Sequence, residues 1–215
     1  MGEAIRQTIA SMLRGIERYN PENLPTLENY VERQAVENSY DLEANLAVLK
    51  LYQFNPHLYK VDITCLILLK ALTNLPHTDF VLCKCLLTKA QCQEVPIIHI
   101  IFLADILERC DFQTFWNKVL SMSDLCNRIT GFHDSIRKFV CHVVGITYQT
   151  VDKNTLQLLL GGVYPEELKM WINKYHWKDQ GSSVFIANQD ENIKTKNITE
   201  KIDFESVAGI MATCK

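Results

Sequence analysis

The sequence lacks the long apolar segment that a membrane-spanning helix requires. Its most apolar run, from Ile97 to Leu107, is about half the roughly 20 residues that cross a bilayer, and it contains His99 and Asp105. The first residues contain no apolar signal segment, and Arg6 stands where N-myristoylation signals carry serine or threonine. We therefore expect no export signal, no lipid anchor and no membrane association, and we predict that the apolar run is a buried helix.

A basic excess is also missing, because 22 lysines and arginines face 25 aspartates and glutamates, which gives a net charge of -3. A domain that binds nucleic acid usually carries a clear excess of positive charge. The composition therefore favours proteins rather than bare nucleic acid as partners.

The motifs of common enzyme classes are absent as well. The sequence contains no phosphate-binding glycine loop, no nucleophile elbow and no zincin helix. Its double glycine, Gly161-Gly162, follows a predicted helix rather than a strand, which is typical of a helix end. We predict that the protein is not an enzyme and uses no cofactor.

Eight cysteines offer the material for a metal or thiol site. Residues i and i+2 of a helix point about 200° apart, so Cys83 and Cys85 do not readily hold one ion, even with nearby Cys92, His77 and His99. Adjacent helical residues such as Cys141 and His142 also diverge, which argues against a catalytic pair. We predict buried free thiols in a reducing compartment, and a metal or thiol enzyme stays an alternative that zinc content and thiol reactivity would test.

Apolar residues recur with helical spacing over the first 128 residues. The first helix is predicted to be amphipathic, with one face formed by Ile5, Ile9, Met12, Leu13 and Ile16. The segment Leu42–Leu51 is apolar on two faces and Ile63–Leu72 nearly all round, so each needs several neighbours. Prolines interrupt the pattern about every 20 residues, which gives helix pairs of the length of HEAT-type units. We predict a HEAT-like helical domain at 1–128, ending in the polar segment Ser121–Gly131.

The remaining chain predicts three helices and a β-hairpin. The helices are expected at 132–147, at 154–160 and from Pro165 to Tyr175, and the strands at Val184–Ile186 and near Ile193–Ile198. This order is typical of a winged helix. We therefore predict a mainly α fold with a winged-helix (α+β) domain at 129–201, followed by a tail at 202–215 that contains a short helix capped by Asp203.

A winged helix often inserts its third helix into the major groove through basic side chains. Here Glu166 and Glu167 offset two of the lysines between Pro165 and Lys178, and the predicted wing at 184–201 carries as many acidic as basic residues. The charges favour a protein contact, and a nucleic-acid-binding winged helix stays the alternative.

Six apolar residues are candidate partner contacts. Met170 and Trp177 are predicted on the polar side of the third helix, where an exposed large apolar group suggests contact with another protein. The last helix places four residues on one side, which either fold back on their own domain or dock against a partner's helix: Phe204, Val207, Ile210 and Met211.

Several long, irregular strings resemble one known family. They lie in both halves of the chain and include Arg18–Leu24, Tyr40–Pro56, Leu69–Phe80, His142–Gln149 and Lys201–Phe204. These strings are similar to the subunit k family of eukaryotic translation initiation factor 3. The resemblance implies a HEAT-like domain joined to a winged helix, the PCI arrangement that this factor shares with the proteasome lid and the signalosome, and it brings no catalytic residues.

The resemblance further implies a cytoplasmic scaffold subunit, and it leaves a nuclear pool open. The expected partners are the other subunits of the initiation factor, especially subunit l, and the small ribosomal subunit through the complex.

Overall fold

The computed structural model describes residues 3–189 and 204–213, and over these ranges the chain is mainly helical with one small sheet. The mainly α class predicted from the sequence is thereby confirmed. The first part of the chain contains α1 (Glu3–Met12), α2 (Leu24–Val36), α3 (Leu42–Phe54), α4 (Val61–Leu72), α5 (Asp79–Cys85), α6 (Val95–Glu108), α7 (Phe112–Ser121) and α8 (Ser123–Cys126). Short 3-10 turns occur at Gly15–Tyr19, Pro21–Asn23, Pro56–Leu58 and Gln91–Gln93.

The second part of the chain alternates helices and short strands. It contains α9 (Phe132–Thr147), β1 (Thr150–Asp152), α10 (Lys153–Leu159), α11 (Pro165–Lys174), β2 (Lys178–Asp179), β3 (Ser183–Phe185) and α12 (Phe204–Thr213). Within the described ranges, the helices are all too short or too polar to traverse a bilayer.

Helix starts follow local sequence signals. The side chain of Asp41 accepts a hydrogen bond from the backbone N–H of Ala44 and opens α3, and that of Asp111 opens α7 in the same way. Pro165 occupies the first turn of α11, where a missing N–H is tolerated, as predicted.

The centre of the first part is α4, which packs against α2, α5 and α6. All residues from Ile63 to Leu72 are buried, including Lys70. Burying one Leu or Ile side chain contributes about 1.5–3 kcal/mol, so this helix dominates the local packing energy. The expectation that a helix apolar nearly all round has several neighbours is confirmed.

Several buried polar groups in the first part are paired with one another. The hydroxyl of Tyr52 donates a hydrogen bond of 2.6 Å to Glu28, and Lys60 forms an ion pair with the other oxygen of that carboxylate. Tyr40 donates to the carboxylate of Asp79 at 2.8 Å. Burial and the neighbouring carboxylates raise the pKa of both tyrosines, which keeps their hydroxyls protonated and able to donate.

The sheet has the strand order β1–β3–β2, with both pairs antiparallel. Val151 of β1 lies opposite Val184 of β3, and both side chains are buried. The predicted strand at 184–186 corresponds to β3, but β1 and β2 were not predicted as strands. The second predicted strand, near Ile193–Ile198, and the cap at Asp203 lie outside the described residues.

One core assignment in the first helix is wrong. Ile16 was expected on the buried face, but it is 87% exposed. The reason is that α1 ends at Met12 and the chain turns at Gly15, whose φ is +59°. Ile9 and Leu13 are buried as predicted.

The two parts of the chain contact each other closely. The backbone N–H of Thr130 donates to the carbonyl oxygen of Ala35 at 2.9 Å. Asn38, in the turn between α2 and α3, packs so closely on Gly131 that a Cβ there would lie 2.8 Å from its side-chain nitrogen. Glycine at position 131, with φ of +73°, therefore permits the start of α9 to rest on the α2–α3 turn.

Candidate interaction surfaces

Met170 is presented to solvent by α11. The opposite face of this helix is anchored by Leu168, Trp171 and Ile172, which are all buried. Met170 is 64% exposed, so the side chain lies where the helical pattern predicts. An exposed methionine of this kind is a suitable contact for a partner protein.

Trp177 does not lie on that exposed surface, and the expectation that it is exposed is wrong. The helix α11 ends at Lys174, and His176 adopts a left-handed conformation with φ of +57°. The backbone N–H of Trp177 then bonds to the carbonyl oxygen of Ile172 at 3.0 Å, as in a Schellman motif. This turn brings the indole to within 5.3 Å of the Tyr175 ring, and only 9% of Trp177 stays exposed.

The last helix, α12, carries an exposed apolar stripe. Ile210 and Met211 are 67% and 71% exposed, and Val207 is exposed to a lesser degree. Phe204 begins this helix, but its side chain belongs to the undescribed part of the chain. These three side chains of the stripe are therefore exposed to solvent.

A cleft separates α9 from α11 and reaches the turn between α2 and α3. We call it the α9–α11 cleft, and its volume is about 420 Å³. It is lined by Asn38, Gly131, Asp134, Ser135, Lys138, Glu167, Met170, Trp171 and Lys174.

Arg137 pairs with both carboxylates of the cleft. Its guanidinium lies 3.2 Å from Asp134 and 3.0 Å from Glu167, and it also donates to the carbonyl oxygen of Leu160 at 3.1 Å. The same group lies 5.6 Å from the centre of the Trp116 ring. These contacts hold Arg137 in one place and give each carboxylate an ion pair within the protein.

The lysines of the cleft have no such partners. Among the described residues, Lys138 and Lys174 have no carboxylate within 4.0 Å, and the ammonium of Lys174 lies 4.6 Å from the Trp171 ring centre. A third lysine, the buried Lys70, donates to the side-chain oxygen of Asn38 at 3.4 Å. Burial lowers the pKa of Lys70 to about 8, because it removes hydration from the charged form.

The thiols differ in burial, and Cys214 lies outside the described residues. Cys65, Cys83, Cys126 and Cys141 are buried as predicted, and burial raises the pKa of each, to about 12 for Cys83 and Cys141. The prediction is wrong for Cys85 and Cys110, which are exposed, and Cys92 is half-buried. Cys85 points away from the core because it lies two positions after Cys83 on the same short helix.

Sequence reasoning identified Met170 but missed the rest of the cleft. The spacing of Asp134 and Arg137 on one helix predicts an ion pair between them. No sequence signal joins this pair to Glu167 or to Asn38, because those residues come from other helices and turns.

Comparison with known proteins shows one consistent set of relatives. A sequence model of the CSN8/PSMD8/EIF3K family matches residues 58–197. The chain is 65% identical over 212 residues to eukaryotic translation initiation factor 3 subunit K of Bombyx mori, and the match covers 99% of this chain and 97% of the relative. It is 58% identical over 214 residues to the Homo sapiens protein of the same name, and the match covers 99% of this chain and 98% of that relative. The Xenopus tropicalis protein is 58% identical over 212 residues, with 98% and 97% covered.

Proposed function

Because the chain belongs to the subunit K family of eukaryotic translation initiation factor 3, we propose that it is a non-catalytic scaffold subunit of that factor. The observation that carries this proposal is similarity at 65% identity over nearly the whole of both chains. The relatives share one printed name, which describes a subunit of a multiprotein complex that initiates translation. The protein is accordingly a translation initiation factor subunit, and its scaffold role is our inference.

We further propose that the chain has two domains and a tail. The domains are a HEAT-like domain at 1–128 and a winged helix at 129–201, and the tail at 202–215 contains a C-terminal helix. The HEAT-like assignment is supported by the packing of successive helices on one another, such as α2 on α3 and α6 on α7. The winged-helix assignment is supported by the order α9, β1, α10, α11, β2 and β3 and by the antiparallel sheet that its strands form.

The proposed partners are the other subunits of the initiation factor, especially subunit l, with the small ribosomal subunit reached through the complex in the cytoplasm. The exposed apolar residues support this assignment, because Met170, Ile210 and Met211 are each more than 60% exposed. An isolated chain gains little from exposing such groups, whereas a subunit buries them against its neighbours.

Purification of the tagged chain from cytosol tests the proposal. The wild-type chain is expected to bring down the other subunits of the initiation factor at gentle salt. The variant Ile210→Asp with Met211→Asp should recover less of them, because two charges replace the apolar stripe of α12. A matched control is Val36→Asp, which alters an equally exposed apolar residue on α2. Recovery of the wild-type chain without other subunits would contradict the proposal.

A further inference from the structure

We propose that the α9–α11 cleft binds a short acidic segment of a partner protein, with carboxylates that pair with Lys138 and Lys174. The proposal concerns a site on this chain alone, and it does not depend on which complex contains the chain. The partner's chemistry follows from the charge, shape and burial of the residues around the cleft.

The charge around the cleft is positive although the whole chain is negative. Asp134 and Glu167 are both occupied by Arg137, and Glu37, beside the cleft residue Asn38, is paired with Arg33 at 3.0 Å. The cations that are left over among the described residues are Lys138, Lys174 and, behind Asn38, Lys70. An incoming carboxylate therefore meets ammonium groups without first breaking an internal ion pair.

The walls of the cleft are partly apolar. Met170 is largely exposed at its rim, and Trp171 lines the cleft beside Lys174, whose ammonium lies over its ring. A volume of about 420 Å³ accommodates only a few side chains, at the lower end of ordinary ligand sites. The best match is a short segment with one aliphatic side chain between acidic ones, so that the aliphatic group covers Met170.

Lys70 gives the site a further preference for negative charge. Its ammonium is buried and its one hydrogen bond within the described residues is to Asn38, which itself lines the cleft. A carboxylate bound next to Asn38 stabilises the charged form of this lysine across a short, poorly hydrated distance. Binding therefore offsets part of the energy with which burial disfavours the Lys70 charge.

The same residues argue against a nucleic acid as the ligand. A phosphate backbone carries a charge at every nucleotide, and it would pass Asp134 and Glu167 as well as the lysines. Lys153, at the start of α10, is engaged in an ion pair with Asp179 at 2.7 Å. A short peptide can place its two charges at the lysines alone.

The direct test measures fluorescence anisotropy of a labelled peptide in which one leucine stands between two glutamates, titrated with the whole 215-residue chain. Replacing its glutamates by glutamines should abolish binding, and inorganic phosphate should compete only weakly. Lys138→Gln and Lys174→Gln should each weaken binding about three-fold, and the double variant about ten-fold, in line with partly exposed ion pairs. Lys169→Gln, on α11 but outside the cleft, should change binding less than two-fold.

Three outcomes would overturn the proposal. In the first, the acidic peptide does not bind at millimolar concentration. In the second, Lys169→Gln weakens peptide binding as much as Lys174→Gln does. In the third, a single-stranded oligonucleotide binds more tightly than the peptide and depends on the same lysines. Thermal unfolding of each variant shows whether it is folded. Co-purification with the initiation factor is measured separately, so a failed peptide experiment and a failed function assignment are distinguishable.

Discussion

The indole N–H of Trp116 donates a hydrogen bond of 2.9 Å to the carbonyl oxygen of Leu159 and so joins α7 to the end of α10. The next turn brings Gly161 against the same ring, where a Cβ would lie 2.7 Å from a ring carbon. The two parts of the chain therefore meet at a rigid aromatic side chain. We expect this contact to be sensitive to any added volume.

Gly161→Ala should destabilise the protein by about 3 kcal/mol, because a side chain at φ of +89° is strained and the methyl group also overlaps Trp116. Gly162→Ala is the matched control, since its φ is +71° but no atom lies within 4 Å of the added Cβ. The free energy of unfolding of Gly162→Ala should fall by only about 1 kcal/mol. Urea denaturation of both variants measures the difference, and equal losses would contradict the proposed overlap.

Lys70→Met should stabilise the protein at pH 7 by about 2 kcal/mol, because burial lowers the pKa of this lysine from 10.5 to about 8. Between these two pH values the unfolded chain holds a proton that the folded chain has released. The contribution of Lys70 to the free energy of unfolding therefore rises with pH across this window.

Lys70→Met should lose this rise in the free energy of unfolding with pH. Lys169→Met, which replaces an exposed lysine, should keep the pH dependence of the wild type. Chemical denaturation at several pH values between 7 and 10.5 gives the comparison. Identical pH profiles for the wild type and Lys70→Met would show that the amine is hydrated in solution.

Thiol labelling should distinguish two cysteines that lie two positions apart on α5. Cys85 is exposed and should react with a maleimide within minutes at pH 7.5, whereas Cys83 should react only after unfolding. Burial raises the pKa of Cys83 to about 12, which leaves almost no thiolate in the folded chain. Mass spectrometry of labelled peptides provides the measurement, and rapid labelling of Cys83 in folded protein would refute the packing of α5.

Tyr52→Phe should destabilise the protein by about 2 kcal/mol, because it leaves a lone pair of the buried Glu28 carboxylate without its donor. Tyr164→Phe removes the same hydroxyl from a ring that is 80% exposed and should change stability by less than about 0.5 kcal/mol. Thermal unfolding of the two variants tests this pair. Unchanged stability of Tyr52→Phe would mean that Lys60 alone satisfies the Glu28 carboxylate.

The sequence predicted the long helices well because their burial repeats over many residues. The segment 63–72 is apolar nearly all round and is buried throughout α4, and Pro165 marks the start of α11. Strands of two or three residues are too short to show a repeating pattern of burial, so β1 and β2 were not predicted. Their pairing depends on residues as distant in sequence as Thr150 and Phe185.

The candidate interaction surface was predicted only in part. Met170 could be placed from helical spacing, but the burial of Trp177 depends on the left-handed conformation of His176 two residues beyond α11. The charge of the α9–α11 cleft depends on Arg137, which pairs with residues of two helices at once. Such three-way contacts are set by tertiary packing and leave no local signal.

Native mass spectrometry of initiation factor 3 assembled in the presence of this chain tests the scaffold assignment most directly. We predict one copy of the 24.8 kDa chain in the intact complex and in a subcomplex with subunit l. The free 24.8 kDa chain beside a complete complex that lacks it, at gentle salt, would contradict the assignment.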